Sequence, residues 1–222
     1  MSTTQGGGNI SANGLILCLD AANTKSYAGT GTVWADLSRS GNNGVLTSGP
    51  TFNNLNNGSI VFDGVDEWVN ISSSSDVFSS NFTLTLWYYP LTNSGDYRIL
   101  FETNGYRNGS IGLAVYQFNN YFRIWRRTGV NTYLELITTS TNTVGLNTWK
   151  TCTLIRNNGV VSFYIDTNLV GSYSTDNNNY SDVRYNLGGS GPTGVLGSYW
   201  FNGRISSTLI YNRALSLSLI HI

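Results

Sequence analysis

Short runs of alternating apolar and polar residues, each cut off by asparagine, glycine or proline, set the fold class of this chain. In the run from Phe82 to Pro90, Phe82, Leu84 and Leu86 share one face, and Thr83, Thr85 and Trp87 share the other. A period of two marks a strand with one buried face, and proline ends it by removing a ladder donor. Comparable runs recur at Leu15–Leu19, Tyr97–Thr103, Ile111–Phe118, Tyr121–Arg127, Tyr133–Thr138, Thr148–Arg156, Val160–Ile165, Leu169–Tyr173, Tyr185–Leu187 and Phe201–Tyr211. Asn119-Asn120 and Asn157-Asn158-Gly159 read as tight turns between neighbours, because Asn and Gly tolerate positive φ. About a dozen short strands and no convincing helical pattern predict an all-β sandwich of antiparallel sheets.

The stretch Ser59–Asn70 concentrates acid. Ile60 and Phe62 alternate with Ser59 and Val61, Asp63-Gly64 breaks the run, and a second strand resumes at Glu67-Trp68-Val69. It reads as an apolar hairpin with three carboxylates, Asp63, Asp66 and Glu67, at its tip.

Charge narrows the function classes. Only 11% of residues are charged, against roughly 25% in an average soluble protein. Twelve basic and twelve acidic residues cancel, so no net field draws the chain to nucleic acid or an anionic membrane. Asparagine outnumbers even the 25 glycines, and 14 Tyr and 6 Trp raise the aromatic share to 13%. A weakly charged surface of amides, hydroxyls and rings suits neutral polar ligands, sugars above all. No apolar run is long enough to span a bilayer.

The first eight residues, rich in glycine, are expected to be a flexible lead-in, with one domain over residues 9–216. They lack the basic and apolar regions of a secretory signal, so synthesis in the cytoplasm is expected. Two cysteines, Cys18 and Cys152, lie in apolar runs and read as buried thiols. The last six residues, 217–222, match one reading frame of a transposon-end adaptor and are expected to be a non-native tail. The one histidine, His221, lies in that tail. Without it the chain has no Ser-His-Asp triad and no His-ligated metal.

Several segments together resemble a known family. They are Leu17–Tyr27, Trp34-x-Asp-Leu-Ser followed by Gly41-Asn-Asn-Gly44, Ile60-Val-Phe-Asp-Gly-x-x-Asp66, and Phe82-Thr-Leu-x-x-Trp87 with Pro90. Tyr164-Ile-Asp166, Phe201-x-Gly-Arg-Ile205 and Ile210–Leu215 continue the series in order. This pattern is similar to the laminin-G-like, concanavalin A-like lectin domains found in phage structural proteins. The resemblance implies a jelly-roll β-sandwich of two antiparallel sheets. The chain departs from the pattern at Arg39-Ser40, at Tyr88-Tyr89, and at Thr167, where glycine is common.

Three kinds of site come into question. Glucanases of this fold carry Glu-x-Asp-x-x-Glu on one strand, whose spacing puts nucleophile and helper on one face. Here the nearest match is Asp63-x-x-Asp66-Glu67, whose adjacent acids point to opposite faces, while Glu102 and Glu135 stand alone; no catalytic residue is expected. Calcium, which takes oxygen ligands, is the one cofactor suggested, at Asp36, Asn42 and Asn43 or at Asp63 and Asp66. Gly189–Gly194 fits GxGxxG but opens no helix and holds Pro192, so it reads as a loop.

Arg123, Arg126 and Arg127, with Tyr121 and Trp125, form a basic-aromatic cluster, with Arg123, Trp125 and Arg127 in phase on one strand face. Such a strand suits a sugar platform, Trp125 stacking on a ring and the arginines donating hydrogen bonds. The expected function is a non-catalytic, lectin-like module of a phage virion or tail, binding glycans or a host surface. Its setting would be the virion or the extracellular space, with other virion proteins as further partners. An extracellular polysaccharide hydrolase and a purely structural virion decoration protein are the alternatives.

Overall fold

A computed structural model describes residues 10–73, 77–92, 97–103, 111–129, 132–140, 142–176, 178–180, 184–190 and 199–220. The lead-in at 1–8, His221 and residues 191–194 of the glycine-rich loop lie outside the described residues.

Strands β1 Leu15–Asp20, β2 Val33–Trp34, β3 Gly44–Thr47 and β4 Thr51–Asn53 come first. Next are β5 Ser59–Asp63, β6 Trp68–Ser72, β7 Phe82–Pro90 and β8 Tyr97–Thr103. Then come β9 Leu113–Phe118, β10 Tyr121–Gly129, β11 Thr132–Thr138 and β12 Lys150–Asn157. The last four are β13 Val160–Ile165, β14 Asn168–Tyr173, β15 Arg184–Leu187 and β16 Asn202–Tyr211. No helix among the described residues is long and apolar enough to cross a membrane.

Every pairing is antiparallel, and the strands form two sheets. One runs β14-β13-β12-β7-β16-β5-β4, with β1 on the far half of β16; the other runs β11-β10-β9-β8-β15-β6-β3-β2. The two stack face to face around a common core as a jelly-roll β-sandwich. Alternation decides which side chains fill it. On β7, Phe82, Leu84, Leu86 and Tyr88 are buried while Trp87 is exposed. From the other sheet Phe101, Val115, Phe122 and Ile124 meet them, and burying each such side chain contributes roughly 1.5–3 kcal/mol.

The acidic stretch is not a hairpin. β5 pairs with β4 and β16, whereas β6 pairs with β3 and β15, so residues 64–67 cross from one sheet to the other. Ile60 and Phe62 enter the core from one side and Val69 and Ile71 from the opposite side. Alternation reports which residues turn inward but not which sheet they belong to. The acids build the corner. Asp63 Oδ1 accepts the Val65 N–H at 2.8 Å, Glu67 Oε2 accepts the Asp63 N–H at 2.6 Å, and Asn202 donates to the Asp63 carbonyl at 2.6 Å. Glu67 is buried, and that burial holds its carboxyl above the ordinary glutamate range.

A charged clamp ties the sheets together. Asp176, wholly buried, accepts from Arg126 at 2.7 Å, from the Tyr180 hydroxyl at 2.6 Å and from Asn178 at 3.0 Å, with Arg156 Nε 3.9 Å away. Arg126 belongs to β10 and Arg156 to β12, so one carboxylate answers a cation from each sheet. Both cysteines are free and buried, and burial pushes the Cys18 thiol up to about 12.

Candidate functional site: the outer face of β8 to β11

Two bulges determine what the outer face presents. Between β10 and β11 the register slips by one residue, so Ile124 faces Ile137 while Trp125 faces Glu135. The extra residue, Leu136, turns inward with Ile137, leaving both Glu135 and Thr138 outside. A second slip lies between β8 and β9, where Ile99 faces Tyr116 and Phe101 faces Val115. Leu100 and Phe101 both join the core, which sends Glu102 to the outer face.

On that face aromatic rings from separate elements meet. Tyr97 of β8 lies 5.0 Å from Trp125, 5.4 Å from Tyr199 and 4.5 Å from Phe118, measured between ring centroids. Tyr116 of β9 is 5.3 Å from Trp125, and Tyr133 of β11 is 5.7 Å from it. Arg123 lies over this group, its guanidinium 4.9 Å from the Phe118 centroid and 5.4 Å from that of Tyr121. It donates to the Tyr97 hydroxyl at 2.7 Å and the Tyr121 hydroxyl at 3.2 Å, and its Nε is 3.5 Å from Glu135 Oε2. Trp125 Nε1 donates to the same Glu135 oxygen at 3.1 Å, and Thr138 donates to the other. The indole is therefore held at a fixed angle by a carboxylate.

Tyr121, Arg123 and Trp125 come together as their spacing predicts. Arg127 does not join them at the surface: it is 4% exposed, its backbone N–H bonded to the Gly112 carbonyl at 2.8 Å. Glu135 and Glu102 are not isolated either. Glu102 is buried and accepts from Asn186 at 2.9 Å and Ser190 at 3.1 Å.

The two acids occupy one cross-strand row, Glu102 to Ala114 to Trp125 to Glu135. Three strand spacings separate them, roughly 14 Å. Paired glycosidase carboxyls need to be roughly 5–10 Å apart.

The oxygens suggested for calcium have other work. Asp36 Oδ1 accepts the N–H groups of Cys18 and Ser38, both at 2.8 Å, and Oδ2 accepts the Ser38 hydroxyl at 2.6 Å and the Asn42 N–H at 2.9 Å. Asn43 Oδ1 accepts the Asp36 N–H at 2.9 Å, and the Asn42 amide donates to the Ile16 carbonyl at 2.9 Å. At the corner Asp63 makes its own turn, and Asp66 is exposed beside it. Among the described residues no three His, Cys, Asp or Glu side chains cluster as a metal site. A shallow cavity of ≈ 570 Å³ by β4, lined by Gly29, Phe52, Asn53 and Leu55 among others, brings no ionisable group.

A family model for the concanavalin A-like lectin/glucanases superfamily, of the third laminin G type, matches residues 63–221. The chain belongs to that superfamily. Among solved structures, this concanavalin A-like domain superposes on the binding domain of botulinum neurotoxin DC in complex with SialylT. That match has a TM-score of 0.71 and 14% identity, over 95% of this chain and 50% of that one. It also matches domain 4 of AbnA, a GH43 extracellular arabinanase from Geobacillus stearothermophilus, in complex with arabinotriose. There the TM-score is 0.68 and the identity 16%, over 93% of this chain and 96% of the other. The receptor binding domain of botulinum neurotoxin D gives a TM-score of 0.70 at 16% identity, over 95% of this chain and 52% of that one. The concanavalin A-like domain thus spans about half of the neurotoxin chains and nearly all of the arabinanase domain. No match is found among curated protein sequences.

Tyr97, Tyr116, Phe118, Tyr133 and Tyr199 are the site residues that spacing alone misses. Alternation within β8 and β9 places Tyr97 with Ile99, and Tyr116 with Phe118, on one face each. Only the strand order β11-β10-β9-β8 puts those faces beside Trp125.

Proposed function

We propose that this domain is a non-catalytic glycan-binding module whose contact surface is the outer face of β8 to β11. The observation that carries this reading is the ring platform around Trp125, rigidly tied by Glu135 and Arg123. Pyranose and furanose rings present C–H faces that stack on indole, while their hydroxyls pair with a carboxylate and phenols at the edge. Solved structures of the same fold with a sialylated ligand and with arabinotriose support it as analogy. The wide separation of Glu102 and Glu135 argues against the hydrolase alternative. A glycan array tests the reading: the wild type gives signal, Trp125→Ala loses it, and no reducing ends are released from bound glycans. Signal that survives Trp125→Ala moves the site elsewhere.

We further infer a virion or tail-associated role, with synthesis in a host cytoplasm and other virion proteins as neighbours. The support is the order of the sequence motifs, which resembles that of phage structural proteins. Mass spectrometry of purified particles tests it, and a chain that never co-purifies overturns it. A decoration protein without glycan affinity is the second reading, and a blank array favours it. Bound calcium is proposed for Asp63 and Asp66; at Asp36, Asn42 and Asn43 an ion would have to displace four donors from one carboxylate. Equal melting temperatures with calcium and with chelator end that proposal.

A further inference from the structure

Charge on the platform is balanced within two side chains. Arg123 is the cation offered there among the described residues, because the other arginines of β10 are committed or covered. Arg126 turns inward to Asp176 at 2.7 Å, and Arg127 is 4% exposed. Arg98, on β8, donates to the Trp200 carbonyl at 2.9 Å. Both terminal nitrogens of Arg123 already donate to phenols, and its Nε faces Glu135.

The carboxylate is the more open partner, 41% exposed against 24% for the Arg123 side chain. A ligand settling on Trp125 therefore meets Glu135 before it meets the guanidinium. A carboxylate offers about four lone-pair sites; the Thr138 hydroxyl and the indole N–H take up two of them, and Arg123 Nε stands 3.5 Å off as a charge partner. A neutral sugar hydroxyl can donate to what is left. A sialic or uronic acid brings a second carboxylate to a site whose one cation among the described residues is already neutralised, and like charges at contact repel.

We infer that the platform selects uncharged saccharides and that Glu135 is the residue setting this preference; the inference rests on the glycan-binding reading above. Removing the charge of Glu135 while keeping its shape leaves Arg123 unbalanced, and the same face then accepts acidic sugars.

The experiment uses the full chain on an array printed with neutral oligosaccharides, each beside its sialylated or uronate counterpart. A blank array overturns glycan binding itself. Signal on acidic members equal to or above their neutral partners leaves glycan binding standing and overturns this inference. The expected result is a neutral-to-acidic ratio of about tenfold or more in the wild type, falling about tenfold in Glu135→Gln. Glu135→Asp, which keeps the charge, retains the preference. An unchanged ratio in a folded Glu135→Gln also overturns the assignment. Should that variant fail to fold, salt reads the same property in the wild type. Going from about 0.01 M to about 1 M shrinks the Debye length from roughly 30 to 3 Å and should compress the ratio; a salt-independent ratio overturns the role of charge.

Discussion

Trp125 and Glu135 face each other across β10 and β11, with the indole N–H donating to the carboxylate at 3.1 Å. The carboxylate fixes the ring's tilt, and the bulge at Leu136 fixes the carboxylate. Trp125→Ala also removes ring contacts to Tyr97, Tyr116 and Tyr133. It should cost about 2–4 kcal/mol of stability together with ligand binding. Trp125→Phe keeps an apolar face but loses the N–H, so it should cost less and retain part of the array signal. Urea denaturation and binding measured on both variants check this.

Asp176 is the only carboxylate in contact with Arg126 and Arg156 among the described residues. Asp176→Asn leaves two interior guanidiniums without a counter-charge, one on each sheet. Breaking a buried pair in this way typically costs about 3–5 kcal/mol. The expected result is a large fall in the urea midpoint, and a loss below about 1 kcal/mol would show the clamp to be dispensable.

The turn between β13 and β14 carries a local strain. Asp166 and Thr167 have φ of +46° and +74°, the pair of left-handed conformations that a two-residue hairpin of this hand requires. Asp tolerates this region, and a β-branched threonine does not. Thr167→Gly should therefore raise stability by about 1 kcal/mol, leaving the Lys150–Asp166 ion pair in place. Thermal melts of the two proteins decide it.

Much of the fold is legible because alternation is a direct readout of burial. Tyr97–Thr103 and Val160–Ile165 begin and end where the spacing predicts. The Asn119-Asn120 turn forms with Asn119 at φ +51°. Alternation fails where the chain slips. The extra residues Leu100 and Leu136 each reverse the face of the strand beyond them, and so Glu102 and Thr138 face outward unannounced. It also carries no record of sheet membership, and the Ser59–Asn70 stretch reads as a hairpin for that reason. β4 leaves no mark of this kind: three residues after a proline are too short to show a period.

Glu67 makes stability depend on pH. Burial raises its carboxyl above the ordinary value of 4.5, against the opposing pull of the Asp63 N–H. The folded state then holds this proton more tightly than the unfolded state does. Its contribution is therefore fully present below the unfolded value and is lost as pH rises through the folded value. Glu67→Gln should flatten the stability profile across the ordinary glutamate range and just above it. A variant that loses stability equally at every pH would show that the hydrogen bond to Asp63, not the ionisation, dominates.

The pairing of β1 with β16 sets Leu15 opposite Tyr211 in antiparallel register. Both ends of the sandwich therefore leave from neighbouring strands of a single sheet, and that sheet is the one opposite the Trp125 platform. A partner domain spliced in at either end would attach through the same side of the molecule. Both connections thus sit at one rim of the sandwich, on the sheet that does not carry Trp125.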